Sequence, residues 1–217
     1  MASRLGRLQE DFLAAFFQLD RRFFLTGGAA LAGFHLAHRE THDLDLFVLE
    51  DVLDEGVAEI AAVAAALGAT TESIMTSPDF RRILMRREDE AVLIDLVRER
   101  APQMVSQKPT IRGIRVDPPE EILANKLCAL LARAEVRDLV DLRALESAGY
   151  RIEDVMQAAA AKDAGLTPAQ LSWVLSQMKL GQDLVPPGGV SREELSEYLK
   201  GLIDRLARRA FPPQDRA

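Results

Sequence analysis

An α+β fold is predicted from three observations. Residues 23–48 run from a short apolar stretch through Gly27-Gly28 into a helix-length apolar segment, and then into the alternating Asp43-Leu44-Asp45-Leu46-Phe47-Val48. Three strand-like stretches, 70–75, 81–86 and 91–97, follow with short connections. Beyond residue 118 every periodic segment has the spacing of a helix.

Taken in order, Leu5, Leu8, Phe12, Phe16 and Leu19 predict an amphipathic helix over 5–19. The strand, glycine turn, helix and strand of 23–48 come next. An Ala-rich helix spans 52–67 and ends at Gly68, a common residue just past a helix end. Of the three strands, the second and third are joined by the charged hairpin-like link Arg87-Glu88-Asp89-Glu90. A polar, basic connection over 102–115 ends in a short strand, 111–116. Pro118-Pro119-Glu120-Glu121 reads as a helix start, with proline and acid in the first turn of a helix running to Ala134. Helices over 136–145, 152–161, 168–178 and 192–209 complete the chain; Thr167-Pro168 forms an N-cap and N1 pair, and Pro186-Pro187-Gly188-Gly189 a loop. Trp173 and Tyr198 read as packing residues. The expected division is a core at 1–117 and a helical region at 118–217 that closes the active-site cleft.

At 217 residues, 48% hydrophobic and 28% charged, the chain has ordinary globular composition. No apolar run approaches a membrane span and no signal-peptide pattern opens the sequence, so a cytoplasmic protein with no membrane partner is expected. The single Cys128 cannot form an internal disulfide, which fits a reducing compartment. A net charge of −7 argues against indiscriminate nucleic-acid binding, and no DNA partner is expected. Locally, Arg98, Arg100, Lys108, Arg112 and Arg115 make a basic stretch that could follow a phosphate backbone. His35, His38 and His42 read as polar residues near a helix end rather than as metal ligands.

The chemistry concentrates on 24–48. On a strand Asp43 and Asp45 share one face, and two adjacent carboxylates repel unless a cation lies between them. Oxygen-only donors suit Mg²⁺ or Mn²⁺. Gly27 and Gly28 let backbone amides approach a ligand, and a helix starting there points its positive end at an anion. A phosphate cradle beside a metal site is what a nucleoside triphosphate with its magnesium requires. Asp95 interrupts the apolar strand Val92-Leu93-Ile94-Asp95-Leu96-Val97 and needs a partner, which a metal shared with Asp43 and Asp45 would supply. Lys126 falls inside the apolar stripe of Ile122, Leu123, Leu127, Leu130 and Leu131, where its ammonium either snorkels to water or meets an anion.

Leu25-Thr26-Gly27-Gly28-Ala29-Ala30-Leu31, His38-Arg39 and Asp43-Leu44-Asp45-Leu46-Phe47 together resemble the signature of AbiEii/AbiGii-type toxin nucleotidyltransferases, of the DNA-polymerase-β-like superfamily. Glu121 to Lys126 matches that family's Glu-x-x-x-x-Lys, and Arg137-Asp138-x-x-Asp141-Leu142 its Lys-Asp-Leu-x-Asp-Leu with Arg in place of Lys. The resemblance covers residues 20–145. It implies a nucleotidyltransferase-fold mixed sheet with flanking helices and a C-terminal helical region. It also implies Asp95 as the third acid of a metal-binding triad with Asp43 and Asp45, and Lys126 at the nucleotide phosphates. Thr26, Gly27, Gly28 and Arg39 are the implied nucleotide contacts. Asp138 and Asp141 orient Lys126 or touch substrate, unless they form a helix-surface pair with Arg137 or Arg143.

The expected reaction moves a nucleoside monophosphate from a nucleoside triphosphate to an acceptor hydroxyl, assisted by Mg²⁺ or Mn²⁺. RNA, at the 3′ end of tRNA, is the implied acceptor, and an antitoxin protein the implied partner. The alternative from another class is a non-catalytic nucleotide-binding or partner-binding module on the same fold.

Overall fold

A computed structural model describes residues 3–211. They divide into two compact units, one of residues 3–100 and 105–118, the other of 101–104 and 119–211.

The first unit holds helix α1 (Arg7–Leu19), strand β1 (Phe24–Thr26), a helical segment α2 (Gly27–Ala30) that continues as a π-helical turn over Leu31–His35, and strand β2 (Asp43–Val48). Helix α3 (Leu53–Ala66) and strands β3 (Thr70–Ser77), β4 (Phe80–Arg87) and β5 (Glu90–Arg98) follow. The five strands form one sheet in the order β1-β2-β5-β4-β3. Only β2 and β5 run parallel; the other neighbours are antiparallel, so the sheet is mixed.

Alternation in β2 divides the sheet into two faces. Leu44, Leu46 and Val48 are fully buried with Ile83 and Met85 of β4 and Val92, Ile94 and Leu96 of β5, on the side that α1 and α3 cover. The covering face of α1 carries Phe12, Phe16 and Phe17, and the Phe16 ring meets Phe23 edge-on at 5.4 Å. Burial of such aromatic side chains, each worth roughly 1.5–3 kcal/mol, is why the acidic residues of β2 are left on the other face.

The stretch expected as one strand, 111–116, is instead a hairpin of β6 (Thr110–Ile111) and β7 (Ile114–Arg115). Arg112 and Gly113 both have positive φ, +52° and +81°, the conformation of a tight two-residue turn whose twist matches the strands. Arg112 accepts the less favourable φ while its guanidinium stacks on the Phe34 ring at 4.5 Å.

The second unit is helical: α4 (Pro119–Arg133), α5 (Val136–Ser147), α6 (Ile152–Lys162), α7 (Pro168–Ser176) and α8 (Arg192–Ala210), with a short 3₁₀ turn at Pro187–Gly189. Helix α4 packs against α5, α6 and α7, while α8 lies on α7 and α5 through Leu195, Leu199, Leu202 and Leu206. The start of α7 follows its sequence signal, Thr167 Oγ accepting from the Gln170 amide at 3.1 Å, and at the start of α8 Ser191 with Glu194 closes a capping box. Among the described residues no helix is long and apolar enough to cross a membrane.

Candidate active site

Strand register assembles the acidic side chains of the first unit. Thr26 of β1 lies opposite Asp45 of β2, Asp45 opposite Asp95 of β5, Asp95 opposite Arg82 of β4, and Arg82 opposite Met75 of β3. Partners across a ladder project to the same face, so these five residues form one row across the sheet. Asp43 stands two residues before Asp45 on the same face, opposite Leu93. Residue 95 therefore shares a face with residues 43 and 45.

The cation that answers Asp95 is a side chain. Arg82 donates from Nε to Asp95 Oδ1 at 2.8 Å and from Nη2 to Oδ2 at 2.6 Å, a parallel two-point pair that engages both oxygens. Asp95 is 7% exposed, and this pair is what makes its burial tolerable. Hydrogen bonding to Asp95 raises the pKa of Arg82 despite some burial, and the fields of Asp43 and Asp45 push it further the same way. The Arg82 guanidinium also lies over the Phe80 ring at 5.5 Å.

Among the described residues no three His, Cys, Asp or Glu side chains are grouped to hold a metal ion. Asp95 is held by Arg82, and on the same face Asp43 and Asp45 form a pair of hard-oxygen donors. That pair fits a divalent ion of the magnesium type, which usually takes one or two carboxylates and completes its shell with substrate phosphates and water.

The glycine turn serves these side chains directly. Gly27 has φ +63°, and a Cβ there would overlap Asp45 Oδ2. A Cβ on Gly28 would lie 2.7 Å from Nη2 of Arg39, which is 7% exposed and donates to the Glu40 carbonyl at 2.9 Å. Asp45 and Arg39 thus press onto the two glycines, one each. Thr26 is buried at 2% exposure, and its Oγ1 has no hydrogen-bond partner among the described residues. An orphaned hydroxyl one residue before the turn is a polar group that a ligand oxygen would satisfy.

Lys126, Asp138 and Asp141 come together within the second unit. Lys126 Nζ lies 2.7 Å from Asp138 Oδ1 and 2.6 Å from Asp141 Oδ2. Both carboxylates are fully buried, so they are core groups and not the helix-surface pair with Arg137 or Arg143. Arg133 adds a second cation, with Nε 2.8 Å from Asp138 Oδ2. Burial lowers the pKa of Lys126, but Asp141 and Asp138 outweigh it and leave the pKa raised. Burial likewise raises that of Asp138, and Arg133 and Lys126 turn the shift downward. The snorkelling alternative for Lys126 is replaced by a buried network.

The side chains of the basic stretch have partners within the fold. Arg98 pairs with Asp51 at 2.6 Å and Arg100 with Asp79 at 2.7 Å. Lys108 is buried against Asp117 at 2.7 Å. Arg115 donates to the carbonyls of Arg21 and Arg22. His35, at the end of the π-helical turn, lies 2.8 Å through Nε2 from the Asp117 carbonyl oxygen, an interaction of the fold.

The family described as "Nucleotidyl transferase AbiEii toxin, Type IV TA system" matches residues 11–213. No curated protein matches the sequence. Among solved structures, a Helicobacter pylori protein described as a nucleotidyltransferase aligns at 20% identity with a TM-score of 0.63, covering 94% of this chain and 93% of its own. JHP933, also from Helicobacter pylori, aligns at 21% identity and 0.58, covering 94% and 92%. MenT4, a nucleotidyltransferase toxin from Mycobacterium tuberculosis, aligns at 18% identity and 0.61, covering 96% and 83%. At these identities the structural likenesses establish the fold.

Proposed function

The chain belongs to the AbiEii nucleotidyltransferase toxin family, and from that premise we propose that it moves a nucleoside monophosphate from a nucleoside triphosphate to an acceptor hydroxyl on RNA. The chain is a nucleotidyltransferase, and membership of a type IV toxin–antitoxin family implies a nucleoside triphosphate substrate and an antitoxin partner. The observation that carries this reading is the row Thr26, Asp45, Asp95, Arg82 on the sheet face away from α1 and α3, with Asp43 beside it and Gly27-Gly28 at its end.

In this reading Asp43 and Asp45 hold Mg²⁺ or Mn²⁺. The ion, when bound, neutralises triphosphate charge and polarises the α-phosphate. Thr26 Oγ1 and the amides of Gly27 and Gly28 contact phosphate oxygens, and Arg39 braces the turn. The acceptor oxygen forms a bond to the α-phosphorus while the bond to the bridging oxygen breaks, and pyrophosphate leaves with that electron pair. Asp95 receives the hydroxyl proton. Lys126 has two of its three donors committed to Asp138 and Asp141, so the reading assigns these three residues to positioning α4 and α5 rather than to the leaving pyrophosphate. An RNA 3′ end, that of tRNA in the form the resemblance implies, is the acceptor assigned.

The test incubates the protein with each α-³²P ribonucleoside triphosphate, Mg²⁺ and total RNA, beside Asp45→Asn. Label on RNA 3′ ends, reduced by at least ~100-fold in the variant, is expected. Label that reaches only protein or small-molecule hydroxyls overturns the RNA assignment, and no transfer to any acceptor overturns the reaction.

A further inference from the structure

We propose that the helical unit carries an RNA-binding site of its own, a cavity between α8, the end of α5 and the start of α6 that takes a phosphate and an unpaired base of a single strand. That this strand is the acceptor rests on the transfer reading above.

The cavity has a volume of about 710 Å³, within the range of sites for small ligands. Both tyrosines of the chain, Tyr150 and Tyr198, lie in its wall. Among the described residues it is also lined by three arginines, Arg151, Arg205 and Arg208, against two acids, Glu146 and Glu153. Glu146 is already answered: Arg205 donates to its two oxygens at 2.9 and 2.6 Å, and the Tyr198 hydroxyl donates to Oε2 at 2.7 Å. Glu153 is approached by Arg151 and Arg205 at the longer distances of 3.8 and 3.9 Å. Arg208 is exposed and makes no ion pair among the described residues. With Glu146 and Arg205 cancelling, two cations face one carboxylate, a local positive excess in a chain of net charge −7. Cations in a last helical turn also complement the helix dipole. Arg208 and Arg209 both stand there, but Arg208 alone of the two lines the cavity.

Gly201 is a second, independent sign. It lies in the interior of the 19-residue α8, where glycine is the least favourable residue after proline. Its backbone is helical, and an added Cβ would meet nothing within 4 Å. Neither conformation nor crowding calls for glycine there; what the missing side chain leaves is open floor in the cavity.

The lining selects the class of ligand. A protein partner is anchored by apolar side chains at the centre of its interface, and the one aliphatic side chain among the described lining residues, Leu202, is 1% exposed. Arginine, tyrosine and bare backbone match the polar, positively charged character of nucleic-acid interfaces. A phosphodiester oxygen pairs with Arg208 and Arg151, and a base stacks on the Tyr150 ring, a contact open to any base. The strand must be unpaired there, because only unstacked bases can be splayed onto an aromatic ring.

The test measures, by fluorescence anisotropy, binding of the full-length chain to a fluorescein-labelled, mixed-sequence single-stranded RNA of about 12 nucleotides. Gly201→Leu fills the floor and is expected to raise Kd ~10-fold while the melting temperature rises by ~2–5 °C, a combination that damage to the fold would not give. Gly201→Ala adds one methyl group and should raise the melting temperature alike while leaving Kd within ~2-fold. Arg208→Gln should weaken binding and make the slope of log Kd against log salt shallower by about 0.7, the loss of one phosphate contact. In the transfer assay Gly201→Leu should raise the RNA KM ~10-fold, with kcat and the triphosphate KM unchanged. Absence of binding by wild type overturns the inference, as does Gly201→Leu that binds RNA like wild type; transfer to RNA in either case leaves the transfer reading standing. Should the leucine variant melt lower, the salt slope of Arg208→Gln decides, and an unchanged slope overturns the site. Displacement of the probe by a poly-glutamate peptide, or by nucleoside monophosphates, as readily as by unlabelled RNA overturns it too, and assigns the cavity to an acidic protein or a free nucleotide. Wild type that binds the probe through Gly201 and Arg208 yet labels no RNA overturns the transfer reading alone.

Discussion

At Gly27 a backbone φ of +63° and the Asp45 carboxylate meet in the same place. An alanine there must adopt a left-handed conformation that costs about 1 kcal/mol, and must also push Asp45 out of the row. Gly28 carries no positive φ, and the atom nearest its missing Cβ is the tip of a long side chain, Nη2 of Arg39 at 2.7 Å, which can give way. The two adjacent glycines therefore differ in consequence. Gly27→Ala is expected to lower stability by about 1–3 kcal/mol in urea unfolding and to reduce transfer further than that loss explains, because Asp45 is displaced. Gly28→Ala should cost less in both measurements. Equal effects at the two positions would mean that the Asp45 contact sets nothing at the site.

Between elements, the contact of α1 with α3 contains a pH-dependent group. Asp20, at the end of α1, is 3% exposed and is gripped by Arg22 through Nε at 3.0 Å and Nη2 at 2.7 Å. Burial raises the pKa of Asp20, but hydrogen bonds from Arg22 and Glu59 turn the shift downward. Glu59 of α3 is pushed up to about 7 by burial and by hydrogen bonding and repulsion from Asp20. It is thus a protonated donor to Asp20 in the folded protein at acid pH. A folded pKa above the unfolded value stabilises fully below the ordinary glutamate value of 4.5, and the benefit is lost as pH rises through about 7. Glu59→Gln, which keeps a donor without an ionisable proton, should flatten this dependence. The variant's melting temperature is expected to exceed wild type at pH 8 by ~3 °C, for a gain of about 1 kcal/mol, and to approach it at pH 5. A difference that does not change with pH would exclude Glu59 as the titrating group. How legible such groups are in the sequence depends on whether a local period reports them. Asp43 and Asp45 were readable because alternation assigns a face, and Lys126 because its place in an apolar stripe demands an anion. Asp95 is recognisable as a carboxylate needing a partner, but that Arg82 is a partner shows only in the pairing of the strands. The hairpin turn held the missing signal: Arg87 pairs with Glu90, and five residues back on one strand and five forward on the other bring Arg82 opposite Asp95. The hairpin at Arg112-Gly113 was hidden for another reason, since an arginine at positive φ has no sequence signature and is held by a distant ring, Phe34.

For the molecule as a whole, each unit has its own apolar core, and the candidate transfer site belongs to the first. Sequence periodicity reported both cores because burial of one face leaves a repeat of about 2 or 3.6 residues, whereas the ladder that aligns residues of five strands into one row is a property of the assembled sheet. That distinction bears on ligand binding. In the proposed reading the paired carboxylates of β2 would be the protein donors to a divalent ion, with phosphates and water completing its shell. Neither the ion nor the triphosphate should then bind tightly alone, and each should strengthen the other by the same factor. Millimolar Mg²⁺ by itself is expected to leave the melting temperature nearly unchanged. Mg²⁺ with the α,β-methylene triphosphates at 100 times the dissociation constant should stabilise by about 2.7 kcal/mol, a rise of ~5–10 °C. Asp43→Asn should abolish the joint effect, while Glu59→Gln, on the opposite side of the sheet chemistry, should preserve it. A full shift with Mg²⁺ alone would show a preformed metal cage and contradict the two-donor site, and a full shift with the triphosphate alone would show that the nucleotide binds without the ion.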